Sequence, residues 1–240
     1  MAAFLETMDK QNKQIIILLG EPGSGKGTQG ILLSEKFNLY YLETSGILEK
    51  SFQHNKEDEF MEIDGEKYSF GQEKKNWETG LLVSPPFATR LIMEKIKELH
   101  NEGKSLLMSG SPRTLYEAEL VFPLLKELYG KENIKIILIE VGVEHTIFRN
   151  SHRRICELMR HPILYIDETK ELEHCPLDGS KLIRREGLDE PETIKIRIKE
   201  YQERTFPLIG FFEKQGQKVE KINGEQSVAE VHSDVLKVLE

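Results

Sequence analysis

Two textures of apolar and polar positions share this chain. In the first, unbroken apolar runs of strand length alternate with stretches whose apolar residues recur every three or four positions. Gln14–Gly20 and Ile134–Val141 (IKIILIEV) are such runs. They suit strands buried on both faces of a parallel sheet. Shorter strands are expected at Leu39–Glu43, Ser105–Ser109 and Gln217–Ile222. Between them the helical period predicts helices over Lys26–Phe37, after a Thr44-Ser45 N-cap, and from Pro85-Pro86 to about Asn101, with Leu91, Ile92, Ile96 and Leu99 on one stripe. Further helices are expected from Thr114 to about Tyr129 and over His145–His152, Pro191–Lys214 and Ser227–Leu239. Strands alternating with helices imply an α/β fold of three layers, a five-stranded parallel sheet covered on both faces.

The second texture interrupts the first twice. Residues 51–80 are charged and weakly patterned, and read as a peripheral helical lobe. Residues 153–190 have short segments, both cysteines, Pro162, Pro176 and Gly179, and no helical period, which marks an inserted lobe. The expected organisation is a core of residues 1–43, 84–152 and 191–240, a lobe at 44–83 and a second lobe at 153–190. No internal repeat or low-complexity tract is present.

The first strand runs into Gly20-Glu21-Pro22-Gly23-Ser24-Gly25-Lys26-Gly27-Thr28, a P-loop. Its glycines allow a tight turn and close approach to phosphate oxygens. The inward N–H groups and the start of the next helix favour anions. Lys26 adds a mobile charge for the β/γ-phosphates, and the hydroxyl arrives one place after Gly27, at Thr28. Gly23, Ser24, Gly25, Lys26, Gly27 and Thr28 are therefore the expected triphosphate site. The alternative, a Gly-rich turn that binds nothing, does not explain Lys26 and Thr28 in place after a strand.

Net charge changes the picture of partners. At −8 over 240 residues, a general nucleic-acid or anionic-membrane surface is not expected. A polyanionic ligand then requires locally clustered Arg and Lys. No apolar run approaches the roughly 20 residues of a membrane helix, and Met1 to Lys13 lack the pattern of a signal peptide. A cytoplasmic location follows as the expectation. Two cysteines, Cys156 and Cys175, are too few for a disulfide scaffold.

The order of several motifs resembles the adenylate kinase family of nucleoside monophosphate kinases over nearly the whole chain, most weakly at 51–80. The loop at residues 20–29, Thr44-Ser45-Gly46, Ser109-Gly110-Ser111-Pro112-Arg113-Thr114, and Arg149 with Arg153-Arg154 each resemble a family motif. So do Glu192-Thr193 through Arg197-Ile198, Phe206-Pro207-Leu208-Ile209 and Ile222-Asn223-Gly224. The resemblance implies direct phosphoryl transfer from Mg-ATP to a nucleoside monophosphate, AMP being the expected acceptor, by a protein acting as a monomer. Lys26, Arg113, Arg149, Arg153 and Arg197 are implied as catalytic, with Arg149 and Arg153 also on ATP. Ser45, Gly46, Lys50, Val83, Gly110, Arg113, Glu117 and Arg197 are implied at the monophosphate. Residues 44–83 become the monophosphate-binding lobe and 153–190 a lid. The physics agrees, because phosphoryl transfer relies on positioning and charge stabilisation, and guanidinium forks bind phosphate bidentately.

Three positions depart from the family pattern. Lys50 stands where Arg is usual, Glu117 where a Gln reads the adenine, and Ser109 where an Asp helps hold the Mg²⁺ water shell. Glu117 leaves open a UMP or CMP acceptor, since a carboxylate accepts but does not donate unless protonated. Ser109 and Lys50 leave open a catalytically weak nucleotide-binding relative. Asp189 is a candidate partner for the lid arginines. Arg154 and Arg185 are lesser candidates for the phosphates.

In many bacterial relatives the lid carries zinc. Cys156-x4-His161 and Cys175-x2-Asp178 give two pairs of suitable ligands. His174 is an alternative to His161. A small lobe gains order from a metal, and zinc is the expectation taken. The alternative is two free thiols in a hydrogen-bonded hairpin.

Overall fold

The computed structural model describes residues 13–160, 162–184 and 189–239. Five parallel strands form the central sheet: β1 (Ile15–Gly20), β2 (Tyr40–Glu43), β5 (Leu106–Ser109), β6 (Ile134–Glu140) and β10 (Val219–Asn223), in the order β10-β6-β1-β5-β2. Every residue of β1 is buried, as its continuous apolar run requires. Its side chains divide between the faces. Ile15, Ile17 and Leu19 pack with Phe87, Ile92 and Ile96 of α4 (Pro85–Asn101), Val121 and Phe122 of α5 (Leu115–Tyr129), and Phe212 of α8 (Leu208–Lys214). Ile16 and Leu18 pack with Leu33 of α1 (Lys26–Phe37) and Val231 and Val235 of α9 (Val228–Leu239). The three-layer α/β expectation holds, and all five strand C-termini open on the same edge.

Two expected elements are corrected. Residues 51–80 are not wholly helical. After α2 (Thr44–His54), β3 (Phe60–Ile63) and β4 (Glu66–Ser69) form an antiparallel hairpin, and α3 (Phe70–Glu78) follows. The turn is Asp64-Gly65, both with positive φ (52° and 85°), the geometry an Asp-Gly pair favours. The second correction concerns Pro191–Lys214, which is not one helix. It divides into α7 (Pro191–Glu200), a π-helical turn (Tyr201–Thr205) and α8. Pro207 has no N–H to continue the ladder, and the Phe206 N–H reaches back five residues to Tyr201 O at 2.8 Å.

A smaller correction is at the start of α2. Thr44 lies inside the helix, Glu43 is the cap residue, and no side chain closes the cap. Thr114 does cap α5, its side chain accepting from the Glu117 N–H. Residues from 153 onward form a small sheet, β7 (Arg154–Cys156) between β8 (Pro162–Ile163) and β9 (Leu182–Ile183). α6 (Val143–Ser151) leads into it.

Candidate active site

The loop between β1 and α1 is fixed from below by α6. Asn150 Nδ2 donates to Pro22 O at 2.9 Å and to Thr146 O at 2.8 Å, and Thr146 Oγ1 donates to Glu21 Oε2 at 3.0 Å. Both α6 residues are fully buried. At Gly23 a Cβ would meet Asn150 Nδ2 at 2.5 Å, so this glycine lets the anchor approach. Gly25 caps α1 with φ 98°, a left-handed conformation that suits glycine.

Lys26 folds over the loop. Its Nζ donates to Gly20 O and Glu21 O, both at 2.7 Å, and to Ser24 Oγ at 3.2 Å. Burial pulls its pKa down to about 7, with Arg113, Arg197 and Arg153 adding to the shift in that order. The four cations expected from scattered sequence positions therefore share one electrostatic site.

That site is the floor of a cleft of about 720 Å³ at the C-terminal edge of the sheet. Gly23 through Thr28, Ser45, Gly110, Arg113, Arg149, Arg153 and Arg197 all line it. Arg153 pairs with buried Asp189 at 3.0 Å and Arg197 lies 3.9 Å from the same oxygen. Arg153 also hydrogen-bonds Asn150 Oδ1. Burial lowers the pKa of Arg149, with Glu225 opposing. Arg154 instead donates to Thr169 O and Leu172 O, both at 2.6 Å, and braces the small sheet.

A smaller pocket adjoins the cleft. Val83, Gly110, Arg113 and Glu117 line it with Thr44, Leu48 and Trp77. Gly46 and Lys50 line neither space. Glu117 is buried, and its carboxylate accepts from Ser111 Oγ at 2.7 Å and Arg113 N at 2.6 Å. Burial raises its pKa despite these bonds. The Ser111–Pro112 peptide within this turn is cis. Thr205, on the π turn, donates to Arg113 O at 2.9 Å.

Phe148, His152 and Tyr165, which all line the cleft, form one aromatic cluster: the His152 ring is tilted against each of the other two at 4.4 Å, and Phe148 and Tyr165 meet edge to face at 6.1 Å. In the small sheet, Cys156, Cys175 and Asp178 each place one ligand atom within 4.8 Å of the others. Asp178 is held at low pKa by hydrogen bonds from Ser180 and then Cys156, the latter at 3.1 Å. Two thiols and a carboxylate are a donor set that suits zinc. His174 is not part of this group, and His161 lies outside the described residues.

Comparison with known proteins decides the family. The family described as adenylate kinase matches residues 18–217. The adenylate kinase of Methanothrix thermoacetophila is 32% identical over 226 residues, 93% of this chain and 97% of that protein. That of Caldicellulosiruptor bescii is 33% identical over 228 residues, covering 93% and 98%. The adenylate kinase of Acetivibrio thermocellus is 30% identical over 230 residues, covering 93% and 97%. The chain belongs to the adenylate kinase family.

As a member of that family it is a phosphotransferase acting on nucleoside monophosphates. The residues that sequence reasoning missed are those that position rather than contact. Asn150 and Thr146 anchor the adenylate kinase loop, and Thr205 holds the Arg113 backbone. Their only sequence signal is two polar residues four apart on α6, on the same helix as Arg149. No helix among the described residues is long and apolar enough to cross a membrane.

Proposed function

We propose that the protein transfers the γ-phosphoryl group of Mg-ATP directly to AMP, giving two ADP. The observation that carries this reading is the convergence of Arg113, Arg153 and Arg197 around Lys26 in a two-compartment cleft. A single triphosphate site does not need a second pocket beside its arginines. The shared description of the relatives as adenylate kinases supports AMP as the acceptor.

In this reading Gly23 through Thr28 seat the ATP phosphates, and the aromatic group at Phe148, His152 and Tyr165 sits beside the donor base with Arg149. Mg²⁺ travels with the triphosphate and neutralises part of its charge. Lys26 moves from the loop carbonyls onto the transferred group, and its charge is restored as the phosphates replace dehydration with ion pairing. Arg113 and Arg197 hold the monophosphate, and Arg153 spans both. Residues 44–83 and 153–190 close as lobe and lid, excluding water and suppressing ATP hydrolysis. Cys156, Cys175 and Asp178 would hold zinc, and the ion would order the lid. The enzyme acts in the cytoplasm as a monomer.

A coupled assay for ADP with AMP, CMP, UMP and GMP tests the reading. AMP is expected to give the highest kcat/KM. Absence of turnover with all four, while ATP still binds, would reject the kinase reading, and a preference for CMP or UMP would reject the acceptor.

A further inference from the structure

A carboxylate in a cleft built for phosphates repels its own ligand unless a cation stands between them. Three glutamates line this cleft: Glu43, Glu200 and Glu225. Glu200 accepts from Leu82 N at 3.3 Å and pairs with Arg204 at 3.1 Å. Glu225 accepts from Gly142 N at 2.8 Å and faces His145 at 3.2 Å. Glu43 alone of the three is exposed with no side-chain hydrogen bond or ion pair to a described residue.

The sheet places Glu43 deliberately close to the phosphate loop. It is the last residue of β2 and stands in register with Ser109, the last residue of β5, which in turn is in register with Leu18 of β1. Residues in register on parallel strands share a face. That face is the one packed by α1, because Tyr41, Leu107 and Leu18 belong to the cluster around Leu33. Glu43 and Ser109 therefore end on the side where α1 begins, and Thr28 of that helix lines the same cleft.

Tyr41 gives a second, independent sign that polar matter belongs here. Its ring lies so close to α1 that a Cβ on Gly30 would meet it at 2.6 Å, and its hydroxyl lies 3.9 Å from where a Gly27 Cβ would be. The hydroxyl is buried without a hydrogen-bond partner. Ser109 and the Glu43 charge are the polar groups that act on it, and burial followed by that charge pushes the phenol's pKa up. A buried hydroxyl left unsatisfied is unfavourable, so a water or ligand oxygen at this point is favoured.

We propose that Glu43 is the carboxylate this chain turns toward the divalent cation accompanying ATP, with Ser109 and Tyr41 as neutral hydrogen-bonding neighbours on the same sheet face. The inference rests on the cleft being the triphosphate site. Mg²⁺ keeps several waters when it binds phosphates, and a carboxylate on β2, two strands from the β1 strand that carries the phosphate loop, suits contact through that water shell rather than with the ion itself. Glu43 is thereby a positioning residue for the nucleotide-bound cation.

The test is the affinity of the full chain for ATP by calorimetry, with Mg²⁺ and with the metal removed by EDTA, in wild type and Glu43→Gln. The wild type is expected to bind ATP more tightly with Mg²⁺. Glu43→Gln is expected to reduce that gain roughly tenfold, while metal-free ATP binds as tightly as before or more tightly, one repulsive charge having gone. The electron paramagnetic resonance signal of Mn²⁺ with ATP should broaden on binding to wild type and change in the variant. An unchanged Mg²⁺ gain in Glu43→Gln would overturn the proposal, as would equal loss with and without metal, which marks a structural role. Failure of the wild type to bind ATP in either condition would overturn the triphosphate reading itself.

Discussion

Burying an ammonium beside three guanidiniums works against the fold, and Lys26 sits in that position. Its pKa is drawn from 10.5 to about 7. Between those values the unfolded chain binds more protons than the native one, so this residue makes the protein more stable as pH rises through the window. Lys26→Met should remove that slope and, without nucleotide, leave the melting temperature at pH 7 no lower than wild type. The same variant should lose roughly 10²–10³-fold in kcat, the scale of removing one preorganised charge from a transition state. Thermal melts at the two ends of the window, with ADP assays alongside, check both signs; a large loss of stability at pH 7 would contradict them. Lys26 was legible in the sequence because glycine spacing dictates local backbone geometry. Asn150 was not, since its hydrogen bond spans 128 positions.

At the scale of the element, the turn before α5 is held by one buried side chain. Glu117 satisfies Ser111 Oγ and Arg113 N together. Glu117→Ala should destabilise the protein by about 2–3 kcal/mol by leaving both groups unpaired in the interior. It should also raise KM for the acceptor, because Arg113 loses its backbone support. Glu117→Gln should be nearly neutral for stability, its oxygen accepting from Arg113 and its amide donating to Ser111. Urea titrations of the two variants separate these outcomes, and equal losses would show that the charge itself is required. The sequence marked Glu117 as a base reader, but its buried bonds within the turn depend on the serine at 111 and the loop's path.

The small sheet poses a similar question. Its core is Cys156, Cys175 and Leu182 with little else, too little apolar burial to fix three short strands. Metal analysis of protein purified without chelator should find about one zinc per chain, the result expected of a four-ligand site. A stoichiometry near zero would reject it. The long strands and amphipathic helices of the core were readable from period alone. The β3–β4 hairpin was not, because its two strands are only four residues each and Glu62, Glu66 and Lys67 break any apolar alternation, leaving Asp64-Gly65 as the strong signal. The break at Tyr201–Thr205 was hidden by helix-forming residues and is betrayed only by Pro207.

For the whole molecule, net charge and site charge run in opposite directions. The chain carries −8, yet Lys26 and three arginines meet at one cleft. A protein acidic outside and cationic at one point does not bind polyanions broadly; it gathers a specific set of phosphates. The fold makes this possible by bringing the ends of parallel strands, the start of α1 and the arms of α6 and α7 to a single edge. The central claim is direct transfer of the γ-phosphoryl group to AMP. Its most direct measurement is a rapid-quench experiment with ATP labelled at the γ-phosphate, Mg²⁺ and unlabelled AMP. The label should appear in ADP, with little in inorganic phosphate. Label released as inorganic phosphate, or retained in ATP, would contradict the account.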